Sequence, residues 1–217
     1  MQYTLIRAKR KTIAIQITRE GDVVVRAPRM ASRRCIEGFL EEKAAWIESA
    51  RSDARARRER YAPVVLQEGA ALPYLGGTRT LRLTAREDFL LQGDVLFVPQ
   101  HAAPDDLIRF LRAQAEAVFR ARVSLYCEKM GISISGLRLS NAQARYGSCN
   151  AQNGLNLSWR LIFFPPDEVE YIVVHELCHV RHKDHSAAFW SQVAAVLPDY
   201  KDRRNRLREN QGLMYIL

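Results

Sequence analysis

Val173-Val174-His175-Glu176-Leu177-Cys178-His179, followed by His185, is the stretch whose reading decides the fold. Four of the chain's five histidines (His175, His179, His182 and His185) fall in this one segment. On an α-helix, residues four apart stand one above the other on the same face. His175 and His179 can therefore aim imidazole nitrogens at a single ion, at roughly 2.0–2.1 Å. Glu176 lies about 100° around the helix from His175, in reach of a water at the ion but not placed as a ligand, which suits a general base. This H-E-x-x-H spacing is that of zinc-dependent hydrolases.

A catalytic zinc takes three protein ligands and keeps one open position. His182, Asp184 and His185 are the downstream donors. If the helix simply continued, His182 would sit about 10.5 Å along the axis from His175, too far to share the ion without strain. His185 is the better third ligand if the chain turns after His179 and brings the imidazole back. Lys183-Asp184 can form that turn, and Asp184 or Ser186 can cap the helix opening at Ala187-Ala188-Phe189-Trp190. Three imidazoles suit one Zn2+ ion, and also nickel or iron.

Further stretches carry a family likeness: Arg145-Tyr146-Gly147-Ser148-Cys149, Asn156-Leu157-Ser158-Trp159-Arg160-Leu161, Pro165-Pro166, the run from His175 to Trp190, and Leu197-Pro198-Asp199-Tyr200. With Arg10-Lys11-Thr12-Ile13 and Pro73-Tyr74-Leu75-Gly76 the chain resembles, over nearly its whole length, the YgjP-like metallopeptidase family, related to the SprT and WLM groups of zincins. One departure is Tyr146, which stands where the family usually shows tryptophan. The resemblance implies an α+β, zincin-like metallopeptidase domain, with His175, His179 and His185 as zinc ligands and Glu176 as catalytic acid/base. It also implies that the 144–160 region supplies the sheet edge bordering the cleft, where an extended peptide can pair by strand addition.

Composition sets outer bounds. The chain has 217 residues, of which 47% are hydrophobic, enough for one mixed domain or two small lobes. No apolar run approaches the ~18–20 residues of a membrane span. Met1-Gln2-Tyr3-Thr4 lacks the layout of a signal peptide, so a cytoplasmic protein with no membrane partner is expected. Cys35, Cys127, Cys149 and Cys178 show no C-x-x-C spacing, which favours reduced thiols; Cys178 reads as core. The net charge of +9 favours anionic partners. Its arginine clusters lie at 7–11, 51–60 and 201–208, and the last two read as exposed helical faces with interspersed acids. Related zincins act near DNA, but no nucleic-acid module is readable here, so direct nucleic-acid binding is not expected.

Alternation in Ile13-Ala14-Ile15-Gln16-Ile17 and Val23-Val24-Val25 around Gly21-Asp22 predicts a β-hairpin. A helix capped by Ser32 follows, with Ile36, Phe39, Leu40, Ala44, Trp46 and Ile47 as its apolar stripe. Strands are expected between Leu66 and Pro99, with turns at Gly76-Gly77 and Gly93-Asp94. Residues 1–100 thus read as a β-rich N-terminal lobe with one helix, and 101–217 as the zincin-like metal-binding catalytic domain. The latter opens with a long helix from Pro104-Asp105-Asp106 to Gly131. Pro165-Pro166-Asp167 starts the metal helix. Trp159, Phe163, Phe164, Phe189 and Trp190 are expected in the core.

Arg145, Tyr146 and Arg160 are the candidates on the substrate side. Each arginine can take a carboxylate or phosphate bidentately, or form a structural ion pair. A zinc metallopeptidase acting on a peptide or protein is the leading function. The alternative is a metal-dependent nucleoside triphosphate pyrophosphohydrolase using the same metal site, whose polyphosphate substrate the basic surface would attract. A non-catalytic metal-binding module is the third class, and Glu176 argues against it.

Overall fold

The computed structural model describes residues 1–18 and 20–217, the side chain of Arg57 apart. The chain forms two compact units, Met1–Ala62 and Pro63–Leu217.

In the first unit, β1 (Thr4–Ala8), β2 (Ala14–Ile17) and β3 (Val23–Pro28) form a sheet in the order β1-β3-β2. The β2–β3 pair is the expected hairpin, and β1 adds in parallel on the far side of β3. Val23, Val25 and Ala27 point inward from β3, as the strand's period of two requires. They form a core with Ile36, Leu40 and Ile47. The last three come from α1 (Arg33–Glu42) and α2 (Ala44–Arg60). The Ser32 side chain caps α1 by accepting from the Cys35 N–H at 3.2 Å, satisfying one of the helix's open donors.

One helix was expected here and two are found. The α1 helix stops at Lys43, whose backbone leaves the helical region. The break shifts the apolar stripe, so that Ile47 is buried while Trp46 is 51% exposed.

The second unit opens with β4 (Ala71–Tyr74), β5 (Gly77–Thr84), β6 (Leu90–Gln92) and β7 (Val95–Pro99), ordered β4-β5-β7-β6. The compact units divide after Ala62, so this sheet falls within the second of them. It belongs with the residues that follow because its β4–β5 turn is tied to them. The Leu75 N–H donates to the Ile162 carbonyl at 2.7 Å. Gly76 has φ +77°, and a Cβ there would meet the Pro165 backbone at 3.0 Å, so the turn needs glycine both for its backbone and for its close approach.

The long helix α3 (Pro104–Met130) is buried through Leu107, Leu111, Ala115, Phe119, Val123, Tyr126 and Met130, and ends on Gly131 in the left-handed region, a common C-terminal stop. Strands β8 (Gly136–Ser140), β9 (Gly147–Cys149) and β10 (Gly154–Ser158) then form a sheet ordered β8-β10-β9, with β9 at its edge. A tight helical turn, Trp159–Phe163, is wholly buried. Beyond it lie α4 (Pro166–Cys178), α5 (Ala187–Val196) and α6 (Tyr200–Glu209). The fold is α+β. Among the described residues, no helix is long and apolar enough to cross a membrane.

Glu168, in the first turn of α4, is fully buried. Its Oε1 accepts from Asn210 Nδ2 at 2.7 Å, while Oε2 is buried without a hydrogen-bond partner. Burial pushes its carboxyl pKa up to about 7, with the charges of Asp167 and Glu209 adding to the rise and the Asn210 bond and Arg206 opposing it. A carboxyl whose folded pKa lies above its unfolded value holds its proton more tightly in the folded state. Its contribution to stability is full below about pH 4.5 and is lost as pH rises through about 7. Glu168→Gln should remove this dependence. Between pH 4.5 and 8 the variant should gain on the wild type by on the order of 2–3 kcal/mol of unfolding free energy. Urea unfolding at three pH values tests this, and a pH-independent difference between the two proteins would refute it.

Candidate metal centre

Helix α4 begins at Pro166 after Pro165, with Asp167 and Glu168 in its first turn, where proline fits and acids complement the helix dipole. Val169, Ile172, Val173, Val174, Leu177 and Cys178 are buried, so the helix is held on several sides and its exposed options are few. It stops at Cys178, and His179 is its capping residue. The chain then turns. Arg181 Nη2 donates to the carbonyls of Met130 and Gly131, each at 3.1 Å, tying the turn to the end of α3. Lys183 Nζ reaches Asn153 Oδ1 at 2.8 Å. The Asp184 carboxylate accepts from the Ser186 N–H at 3.2 Å, and α5 opens at Ala187 with Ser186 as its N-terminal flank.

This turn delivers His185 to the face that carries His175 and His179. One nitrogen from each of the three rings lies within 4.8 Å of the others, a group able to hold a metal ion. The Nε2 atoms of His175 and His185 are 3.1 Å apart. Two ligands bound tetrahedrally at 2.0–2.1 Å stand about 3.3 Å apart, so the His175–His185 pair fits a small divalent ion. His179 Nδ1 lies 2.9 Å from the His182 carbonyl. As donor in that contact it leaves Nε2 with a free lone pair, the arrangement common among metal-ligating histidines. The pKa of His175 is pushed down to about 3 by burial, with the neighbouring His179, His185 and Arg204 adding to the effect, so the ring is neutral as a ligand must be.

Packing holds the rings in place. Phe189, fully buried, lies 4.9, 4.6 and 4.8 Å from the ring centroids of His175, His179 and His185. Trp190 stacks on His185 at 5.7 Å and on Tyr200 at 5.5 Å.

Glu176 is 6% exposed. Burial raises its carboxyl pKa to about 7, against the opposing charge of Arg145 and a hydrogen bond from the Cys149 backbone N–H. The edge strand runs close to it: a Cβ on Gly147 would come within 2.9 Å of Glu176 Cγ and of Leu157 Cδ2. Ser158 N–H donates to the Tyr146 carbonyl and Asn150 N–H to the Gly154 carbonyl. The alternation of an antiparallel strand then turns the backbone groups of Gly147 and Cys149 away from β10.

A family model described as YgjP-like, metallopeptidase domain, matches residues 11–210. The chain belongs to that family. A metallopeptidase family implies a metal-dependent hydrolase, and among the described residues of this YgjP-like chain the histidine group is where ligands for a metal come together. No curated protein matches it. Among solved structures, the metallopeptidase zymogen of Pyrococcus abyssi abylysin is similar at 20% identity and a TM-score of 0.34, over 46% of this chain and 90% of that one.

The other residues singled out from the YgjP-like sequence part company. Arg145 and Tyr146 line a cavity of 330 Å³ that also touches His175 and Glu176. The Tyr146 hydroxyl donates to the Leu207 carbonyl at 3.2 Å, and its ring meets Phe164 edge-on at 5.7 Å, so it supports the wall through α6. Arg160 is not among the cavity's lining residues. It is 8% exposed, its guanidinium donates to the carbonyls of Asn141 and Leu217, and it lies over the Trp159 ring at 4.7 Å. Those bonds give it a structural place in preference to a substrate contact. The His182 ring is outside the group able to hold a metal ion; its backbone carbonyl is what meets His179. Sequence reasoning missed Gly147, the Cys149 N–H, Arg204 and Arg208, the last two lining the same cavity from α6.

Proposed function

We propose that this YgjP-like protein is a zinc metallopeptidase, with His175, His179 and His185 as metal ligands and Glu176 as general base and then general acid. The observation that carries the reading is the convergence of three imidazoles beside one buried carboxylate. A zinc ion bound there would polarise the scissile carbonyl and lower the pKa of a water to about 7. Glu176 receives the proton at its carboxylate and passes it to the leaving amine; a base poised near neutrality is suited to both transfers. The Cys149 N–H and Arg145 keep that carboxylate oriented and partly ionised. An extended peptide laid along the β9 edge, antiparallel or parallel, would find the backbone groups of Gly147 and the carbonyl of Cys149 turned toward it, the Cys149 N–H being held by Glu176. The four free cysteines support a cytoplasmic setting.

Removing metal with a chelator should stop cleavage of an unfolded protein, and zinc should restore it; cleavage indifferent to both would overturn the reading. Gly147→Ala tests the Glu176 geometry. The added Cβ must displace either the carboxylate or the strand, and a shift of about 1 Å at a catalytic group costs on the order of 10²-fold in rate. The variant should keep its zinc and lose that much in kcat/KM, and unaltered kinetics would show that Glu176 is not placed by β9.

The guanidinium groups of the cavity favour one second reading, hydrolysis of a nucleoside triphosphate to a monophosphate and pyrophosphate by the same metal site. It requires Glu176-dependent pyrophosphate release without peptide cleavage.

A further inference from the structure

The cavity beside His175 and Glu176 is basic on two sides. Arg145 comes from the segment leading into β9, and Arg204 and Arg208 come from α6. Residues 204 and 208 are four apart and so share a face of that helix. The acids nearby are committed to other arginines. Arg203 pairs with Asp199 at 2.9 Å and with Glu170 at 3.1 Å, and Arg206 pairs with Asp167. Among the described residues, no carboxylate lies within salt-bridge distance of Arg145, Arg204 or Arg208, and Glu176 is the one acid in the cavity wall.

Arg204 is preset: its guanidinium lies over the Trp190 ring at 5.0 Å, and Trp190 in turn stacks on His185. The charges of Arg204 and Arg208 both reach Tyr171 on the cavity floor. A guanidinium held by an aromatic face still offers its edge donors to a planar anion. Gly147 belongs both to the β9 edge and to the cavity wall, so a group reaching in from a peptide on that edge meets the three arginines. That continuity favours a peptide's carboxylate over a free nucleotide.

We propose that this cavity is the subsite for a carboxylate of the substrate, so that the enzyme prefers a peptide with an acidic group next to the bond it cuts. The proposal rests on the peptidase reading above. The carboxylate has two sources, an Asp or Glu side chain or the C-terminus of the substrate.

Binding to zinc-loaded Glu176→Gln protein separates them without turnover. Three fluorescent hexapeptides are compared: one with a central Glu and an amidated C-terminus, its Gln counterpart, and the Gln peptide with a free C-terminal carboxylate. At least one carboxylate peptide should bind about tenfold or more tighter than the Gln amide, the scale of a charge-assisted contact. The Glu amide winning identifies the side chain; the free carboxylate winning identifies the chain end. Arg208→Gln and Arg204→Gln should each erase most of that preference, and Lys201→Gln, exposed on the same helix, should not. Equal affinity for the three peptides, a preference that survives both arginine changes, or nucleoside triphosphate as the only ligand sensitive to those arginines would overturn the proposal. Failure of the peptidase reading has its own signature: zinc-loaded wild type that cuts no peptide. Glu176-dependent cleavage without acidic preference would leave that reading intact and remove this one.

Discussion

Glu176→Gln should lower kcat/KM for peptide hydrolysis by about 10³-fold or more while leaving zinc content and thermal stability nearly unaltered. The expected size follows from what the carboxylate does. General acid–base assistance is worth about 10²–10⁴-fold, and here one group is asked to serve both proton transfers. Glutamine keeps the shape and can still accept from the Cys149 N–H, but it cannot take a proton at neutral pH. The fold should survive because glutamine keeps the side chain's volume and its bond from the Cys149 N–H. A variant with wild-type kcat/KM would take Glu176 out of the chemistry.

His185→Ala should weaken zinc binding by on the order of 10²–10³-fold, roughly one ligand's share of the 10–16 kcal/mol that a four-ligand structural site supplies. His185 is exposed and enters from a turn, so the fold should survive its loss. The increase in unfolding temperature that zinc gives the wild type should shrink accordingly. His182→Ala is the matched control. It keeps the backbone carbonyl that meets His179 Nδ1, and should keep zinc affinity. Full zinc retention by His185→Ala, or its loss in His182→Ala, would reassign the third ligand.

The parts of this molecule that announce themselves locally are legible in its sequence. Two histidines four apart mark one helical face, Pro104 and Gly131 bracket α3, and the alternation around Gly21-Asp22 gives the β2–β3 hairpin. The return of His185 after a turn follows from the length a continuing helix would need. What stays hidden depends on partners distant in sequence. Nothing near Gly76 says that its turn rests on Pro165, and that contact is why the 71–99 sheet joins the second unit. Arg160 reads as either a structural ion pair or a substrate contact, and its actual bonds, to Leu217 57 residues away, have no mark in the sequence. The break at Lys43, which turns Trp46 outward, has no proline or glycine to mark it.

The arginines of α6 lie between these cases. Arg203 and Arg206 each have an aspartate four residues earlier, Asp199 and Asp202, whereas Arg204 follows Tyr200 and Arg208 follows Arg204 at that spacing. A reading of the run by i,i+4 partners would have set Arg203 apart from the face that lines the cavity, whereas Arg206 takes its partner from α4, at Asp167.

The most direct test of the account is to incubate zinc-loaded wild type and Glu176→Gln with an unfolded protein and, separately, with a nucleoside triphosphate, and to read the products by mass spectrometry. The account predicts new peptide termini from the wild type alone and an intact triphosphate in both. Intact protein alongside Glu176-dependent release of pyrophosphate would contradict it.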